Sequence, residues 1–449
     1  MRISFRFLTP FVLAAVIALS AVTPARAKIF DPDTFTLKNG MQVVVITNHR
    51  APVVRHMVWY KVGAADEAPG ETGIAHLLEH LMFKGTKNFG PGVFSAQVAR
   101  NGGQENAFTS YDYTAYHQTI AKDRLEMVMK MEADRMTHLL ISEAQVAPER
   151  NVVLEERRSR VDNNPSAQLR EQVSAAMYLN YPYRRPIIGW EHEIKALDVD
   201  RILAFYKRYY APNNAVLIVE GDVTMDELKP LAEKYYGAIP EGPEITRTRT
   251  TEPPATADRR VVLEHERVTQ PSWTRRYLAP SYRYGATEHA YALQVLSEII
   301  GGGASSRLHK RLVLDDAIAL SAGAFYDADD LGPAVFGFYA VPKPNVSMDK
   351  IESTVMDEVG KILKDGITAK ELEGAIERMR NNAVFARDDF GTAARVFGST
   401  LASGGTVDEV ENWLDVIGKV TVEDVAAAAH NVLDGTHHVT AELLSKPQS

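Results

Sequence analysis

His76 and His80 stand four residues apart, with Glu79 between them, in the segment His76-Leu77-Leu78-Glu79-His80. In a helix, residues i and i+4 lie one turn apart on the same face, the spacing at which two imidazoles can hold one Zn²⁺. Glu79 falls on that face too, where a carboxylate can take a proton from a water that the ion activates. The helical reading rests on a stripe: Ile74, Leu77, Leu78, Leu81 and Met82 recur at i, i+3, i+4, i+7 and i+8, so one side is core. His76, Glu79 and His80 lie nearly opposite, with Phe83 among them, and an aromatic there implies that this face is covered as well. The bland alternative is a polar face with two solvated histidines. Two histidines and a glutamate in a partly buried setting need partners, and a metal supplies them.

A third ligand has to come from another element. The stretch Pro148 to Glu156 (PERNVVLEE) reads as helix, with Pro148 near its first turn. On a 3.6-residue period Glu149, Val152, Val153 and Glu156 share one face, while Glu155 points away. A surface helix rich in Glu and Arg is the alternative, and Arg150, Arg157 and Arg158 fit it on the other side. Two carboxylates buried close together repel unless a cation or a shared proton compensates. Glu156 completes a His₂Glu set with an open fourth position, the arrangement of a catalytic rather than a structural zinc site.

The order H-x-x-E-H inverts the commoner H-E-x-x-H. With its surroundings, the chain resembles the pitrilysin/insulinase family of zinc peptidases, in the branch containing mitochondrial processing peptidase and its bacterial relatives. The similarity runs over essentially the whole chain after residue 27. It includes GIAHLLEHLMFKGT (Gly73 to Thr86), NAFTSYDYTAYH (Asn106 to His117), ERNVVLEE (Glu149 to Glu156) and YPYRRPIIGW (Tyr181 to Trp190). The resemblance implies one zinc ion per chain held by His76, His80 and Glu156, with Glu79 as the base. It implies that Glu149 supports the site without necessarily touching the metal. It also implies that Asn106 to His117 is an edge strand on which an extended peptide pairs, with Asn106, Ala107 and Phe108 facing substrate. Backbone pairing of that kind gives affinity without sequence demands. A buried aromatic-rich strand is the alternative.

Residues 1–27 read as a signal peptide: Arg2 and Arg6, an apolar run from Phe11 to Val22, then Ala25-Arg26-Ala27 before a cleavage point. The run of about twelve residues is short of the roughly twenty that span a bilayer, so no stable membrane span is expected after processing. An uncleaved anchor is the alternative. The sequence has no cysteine, which excludes a lipoprotein, disulfides and thiol chemistry. Export of a bacterial-looking chain predicts a periplasmic location. Loss of Arg2, Arg6 and Arg26 takes the net charge from −8 to −11. An acidic chain with no basic run is a poor nucleic-acid binder and mildly favours cationic peptides.

The length of 449 residues exceeds a single core. Pro240-Glu241-Gly242-Pro243 and the stretch 246–258, rich in Pro, Thr and charge, mark a break. The expected organisation is an N-terminal domain with the zinc site over 28–245, a linker over 246–258 and a C-terminal domain over 259–449. The helix, turn and strand of Val199 to Val219 recur at Val422 to Leu443, which reads as a duplication. The fold expected is α+β, with two tandem homologous halves, each an antiparallel sheet packed with helices; the family resemblance implies that they close as a clamshell.

The second half carries no metal signature. His289 is alone on the helix Glu288 to Ile300 that stands in the place of the zinc helix. His437 and His438 are adjacent on an expected strand, so they point to opposite faces. Gly301-Gly302-Gly303 lacks the following Gly-Lys-Ser/Thr of a phosphate loop and reads as a turn. Met127, Met129, Met131 and Met136 read as core filler.

Many single-chain members of the family carry an Arg and a Tyr seven residues apart in the second half, which bind substrate and stabilise the tetrahedral intermediate. Aligning Ser305 to Gly323 on that region puts Val313 and Leu320 at those positions, and neither can donate a hydrogen bond. The expected function is a zinc endopeptidase whose partner is a homologous subunit lacking the zinc motif but carrying the Arg/Tyr pair. The alternative is a non-catalytic peptide-binding or assembly protein. Retention of three ligands and Glu79 speaks against that alternative.

Overall fold

The computed structural model describes residues 28–446. The leader reading of residues 1–27 lies outside them. The first half runs β1 (Asp33–Thr36), β2 (Gln42–Thr47), β3 (Val53–Tyr60), α1 (Ile74–Leu81), α2 (Val93–Arg100), β4 (Gln104–Thr109), β5 (Thr114–Ala121) and α3 (Leu125–His138). It continues through α4 (Glu143–Arg157), α5 (Pro165–Met177), α6 (Glu191–Ala196), α7 (Val199–Tyr209), β6 (Ala215–Gly221) and α8 (Met225–Tyr235). The second half opens with β7 (Arg259–His265), β8 (Ser272–Ala279), α9 (Ala290–Gly301), β9 (Ala319–Tyr326) and β10 (Ala334–Pro342). It closes with α10 (Met348–Asp365), α11 (Ala369–Asp388), α12 (Thr392–Ala402), α13 (Val407–Ile417), α14 (Val422–Leu433) and β11 (His438–Ser445).

The fold is α+β, two sheets packed by helices. Strand order is β1-β2-β6-β3-β5-β4 in the first and β7-β11-β8-β10-β9 in the second. Without β1 the two orders are the same, and in each sheet one pair is parallel, β2 with β6 and β7 with β11. The segments that look like copies in the sequence therefore occupy equivalent places, each ending in the strand beside the first of the shared set. Ala215–Gly221 is buried at every position, as expected of an unbroken apolar run in a strand covered on both faces.

What covers the sheets is exchanged between the halves. Helix α12 of the second half lays Ala393, Ala394, Phe397 and Leu401 on Val44, Met57, Trp59 and Val216 of the first sheet. Gly398 admits the Trp59 indole, which a Cβ would meet at 2.0 Å. The backbone N–H groups of Gly391 and Ala394 donate to the buried Glu220 carboxylate at 2.8 and 2.9 Å. Reciprocally, α5 of the first half sets Leu169, Val173 and Met177 against Val439, Ala441 and Leu443 of the second sheet. The stretch 246–258 has no regular structure but is held down, with Arg247 and Arg249 both bonded to Asp66 and Asp112.

Several expectations need correction. Asn106 to His117 is not one strand but a hairpin: β4 and β5 joined at Ser110–Tyr113, where Ser110 N–H donates to Tyr113 O at 2.8 Å. Pro148 is not in a first turn, because α4 starts five residues earlier, capped by Ser142 with Gln145 in a capping box. Val152 does not share the burial of Val153 and is 49% exposed. His437 precedes β11, so strand alternation does not apply to it, and both His437 and His438 reach Asp258 Oδ1, at 3.2 and 3.1 Å. Met129, Met131 and Met136 are core, with Met127 packed against it. Among the described residues no helix is long and apolar enough to cross a membrane.

Candidate metal centre

Helix α1 is fixed at its N-terminus before it can present anything. Gly73 has φ +88°, and a Cβ there would meet Ile188 O at 2.6 Å; Gly189, at φ +90°, would meet Thr72 O at 2.5 Å. The two glycines let the Tyr181 to Trp190 segment cross the start of the helix at backbone contact. The buried Glu67 carboxylate accepts from Gly73 N–H at 3.1 Å and Ala75 N–H at 3.0 Å, filling a role that no adjacent cap fills. The apolar stripe Ile74, Leu77, Leu78 and Leu81 is fully buried, so the opposite face is turned toward α4 and β4.

On that face the structure brings His76, His80 and Glu156 together, one ligand atom of each within 4.8 Å of the others. His80 Nε2 lies 3.2 Å from Glu156 Oε2, and His76 Nε2 lies 3.8 Å from Glu156 Oε1. Ligand atoms around a tetrahedral zinc, with bonds of about 2.0–2.2 Å, stand roughly 3.3 Å apart, so the donor set and its spacing fit the ion. Burial, then the neighbouring His80, pushes His76 down to about 4, which keeps its lone pair available. For His80 burial is the largest influence and pulls downward, but hydrogen bonds with Glu156 and Glu149 together carry it above its ordinary value. The same bond with His80 holds Glu156 low. No other group of three or more His or carboxylate side chains converges in this way among the described residues.

Glu79 stands beside the set, its Oε2 accepting from Thr109 Oγ1 at 2.6 Å. Burial raises it above the ordinary glutamate value, against that hydrogen bond. Glu149 does not join the three donors. Its Oε1 accepts from His80 Nδ1 at 3.0 Å, and its Oε2 lies 2.5 Å from Lys84 Nζ. Glu155 points to solvent and pairs with Arg158. Arg160, just past α4, reaches back to Glu156 Oε1 at 2.7 Å.

Strand β4 ends the first sheet, pairing with β5 alone. Asn106, Ala107 and Phe108 lie opposite His117, Tyr116 and Ala115. The Phe108 ring turns inward, 5.2 Å from the Trp59 ring centroid, so only its backbone lies along the free edge. Sequence reasoning did not find Thr109, Lys84 or Arg160. Lys84 carried a signal, since it stands four residues after His80 on the same face. In the second half Val313 packs against the core and Leu320 is half exposed on β9.

Known proteins resemble this chain over most of its length. The family described as insulinase (peptidase family M16) matches residues 42–191, and the M16 inactive domain matches residues 196–379. Zinc protease PqqE of Helicobacter pylori is 31% identical over 95% of this chain and 96% of its own length. YmxG of Bacillus subtilis, described as an uncharacterised zinc protease, is 27% identical over 87% of this chain and 94% of its own. A crystal structure of a protease from H. pylori superposes with a TM-score of 0.85 at 30% identity, covering 92% of this chain and 99% of that one. The periplasmic protease PqqL of Escherichia coli has the same fold at 19% identity (TM-score 0.80), covering 92% of this chain but 47% of PqqL. The chain belongs to the insulinase family of peptidases, M16.

Proposed function

We propose that this protein is a zinc-dependent endopeptidase that hydrolyses peptides or unfolded segments, with His76, His80 and Glu156 holding one zinc. The observation that carries the reading is the convergence of those three donors beside a part-buried carboxylate, Glu79, that no Lys or Arg pairs among the described residues. Zinc bound there supplies a Lewis acid that activates water and polarises a carbonyl. Glu79 takes the proton of the attacking water and returns it to the leaving amine; its raised affinity for a proton suits a group that must hold one briefly. Thr109 occupies Glu79 Oε2 and fixes the carboxyl's orientation, which leaves Oε1 for the transfer. The free edge of β4 at Asn106 and Ala107 offers backbone groups for an extended peptide, with Phe108 contributing main chain only.

We assign residues 1–27 as a removed export signal and the mature enzyme to the periplasm. The domain assignment is 28–245 and 259–449 joined by 246–258. The chain acts as the catalytic subunit of a pair, with a homologous chain supplying the Arg/Tyr donors that Val313 and Leu320 cannot. The length of PqqL, about twice what this chain covers, supports a working unit of two such folds.

Glu79→Gln tests the chemistry apart from binding. The amide keeps the shape and should keep the zinc, while peptide turnover falls by at least about 10²-fold. Near-normal turnover, with deamidation excluded by mass spectrometry, assigns the base elsewhere.

A further inference from the structure

We infer that Lys84 is a positioning residue that sets the zinc affinity of this centre, acting through Glu149 on His80. The inference rests on the zinc reading above. The turn that follows α1, in which Phe83 N–H donates to His80 O and Lys84 N–H to Leu81 O, brings Lys84 round to the side of His80. There the two oxygens of Glu149 are divided: Oε1 takes the His80 Nδ1–H at 3.0 Å and Oε2 the Lys84 ammonium at 2.5 Å. The Glu149 side chain is only 7% exposed. It sits on one side of His80, while Glu156 sits on the other at 3.2 Å.

Three carboxylates, Glu79, Glu149 and Glu156, thus crowd one imidazole pair. Glu156 pairs with Arg160 and both imidazoles; besides His80, Glu149 pairs with Lys84, its one Lys or Arg partner among the described residues. The ammonium offsets the repulsion between Glu149 and Glu156 and pins Oε2, so that Oε1 faces Nδ1. That bond orients the ring and directs the Nε2 lone pair at the ion, as outer partners of metal-bound histidines do. His76 has no such support, since its Nδ1 is buried with no hydrogen-bond partner among the described residues. Among the described residues, Lys84–Glu149–His80 is therefore the one chain of contacts that preorganises a ligand imidazole. Lys84 is 38% exposed but Glu149 only 7%, so losing the ammonium also leaves a covered carboxylate unpaired at some cost in stability; its role at the centre is therefore read directly in metal affinity.

Zinc dissociation constants measured by chelator competition on the full mature chain test this. Lys84→Met should weaken zinc about 10–100-fold, with Lys84→Arg recovering most of the loss, while the zinc-free variant still melts cooperatively. If Lys84 acts through Glu149, Lys84→Met adds nothing in a Glu149→Gln background. Zinc affinity of Lys84→Met, or of Lys84→Gln should the first fold poorly, within about twofold of the unaltered protein overturns the role. So does an equal loss with and without Glu149. His80→Ala separates the two levels. If it binds zinc as the unaltered chain does, the zinc reading itself is wrong; if it loses zinc while Lys84→Met does not, only Lys84 is.

Discussion

The two halves share a strand order and a parallel pair, yet among the described residues only the first brings three candidate metal donors together. In the first half, α1 buries one stripe and leaves His76, Glu79 and His80 toward α4, which answers with Glu149 and Glu156. In the second half, α9 stands in the same place against α11. It is apolar nearly all round, with Ala290, Ala292, Leu293, Val295, Leu296, Ile299 and Ile300 buried. Where α4 faces α1 with carboxylates, α11 faces α9 with Arg378, which closes on Glu298 at 2.6 Å. A helix apolar on every side belongs to a core, and one with a polar face under cover must be given a reason for it. The comparison teaches that the scaffold does not demand the site: the same layers close over packing in one half and over ligands in the other.

The sharpest way to break that contrast is to remove the ligands. His76→Ala or His80→Ala should abolish zinc binding and peptide hydrolysis, whereas His289→Ala on the second half and Glu155→Ala on α4 should leave both intact. Full zinc by metal analysis after His80→Ala, or equal loss in Glu155→Ala, ends the assignment.

Next in size is the contribution missing from the second half. If the donors absent at Val313 and Leu320 come from a homologous subunit, adding it should raise turnover by about 10²–10³-fold without raising bound zinc. An isolated chain, shown free of partners by mass spectrometry, that matches the mixture in kcat/KM would falsify the two-subunit reading.

The exchanged helices make a third prediction. Phe397→Ala should cost about 3–5 kcal/mol and Met177→Ala about 2–5 kcal/mol, because each empties a seam between one half and the other's sheet. Both variants should melt in a single transition, since neither sheet is covered without the other half's helix. Calorimetry resolving two separate transitions would show that the exchange does not couple them.

The smallest effect is one of pH, and it belongs to the first core. His56 is fully buried, with Nδ1 on Gln118 at 2.8 Å and Nε2 on the Tyr236 hydroxyl at 2.8 Å. Burial, the largest influence, lowers it below its ordinary 6.5. A histidine kept neutral by folding contributes stability above about pH 6.5 that is lost as pH falls toward the lowered value. The urea midpoint should therefore drop between about pH 7.5 and 5.5, and drop less in His56→Asn. An equal drop in the variant would trace the pH dependence to other groups.

The sequence by itself determined what helical and strand periods determine. The stripe from Ile74 to Met82 and the opposing His76, Glu79 and His80 follow from 3.6 residues per turn, as does the outward turn of Glu155 against Glu149 and Glu156. Those relations are local, so they are written in spacing. The tertiary structure decided whatever depends on which elements meet. Thr109 reaches Glu79 because the hairpin breaks at Ser110–Tyr113 and lays β4 beside α1. The Phe108 ring turns inward because Trp59 waits there, and His437 and His438 converge because one precedes its strand. Lys84 meets Glu149 across two helices, and α5 and α12 trade sheets between halves. No spacing along the chain encodes these meetings, because long-range packing is settled by what each buried face finds to cover it.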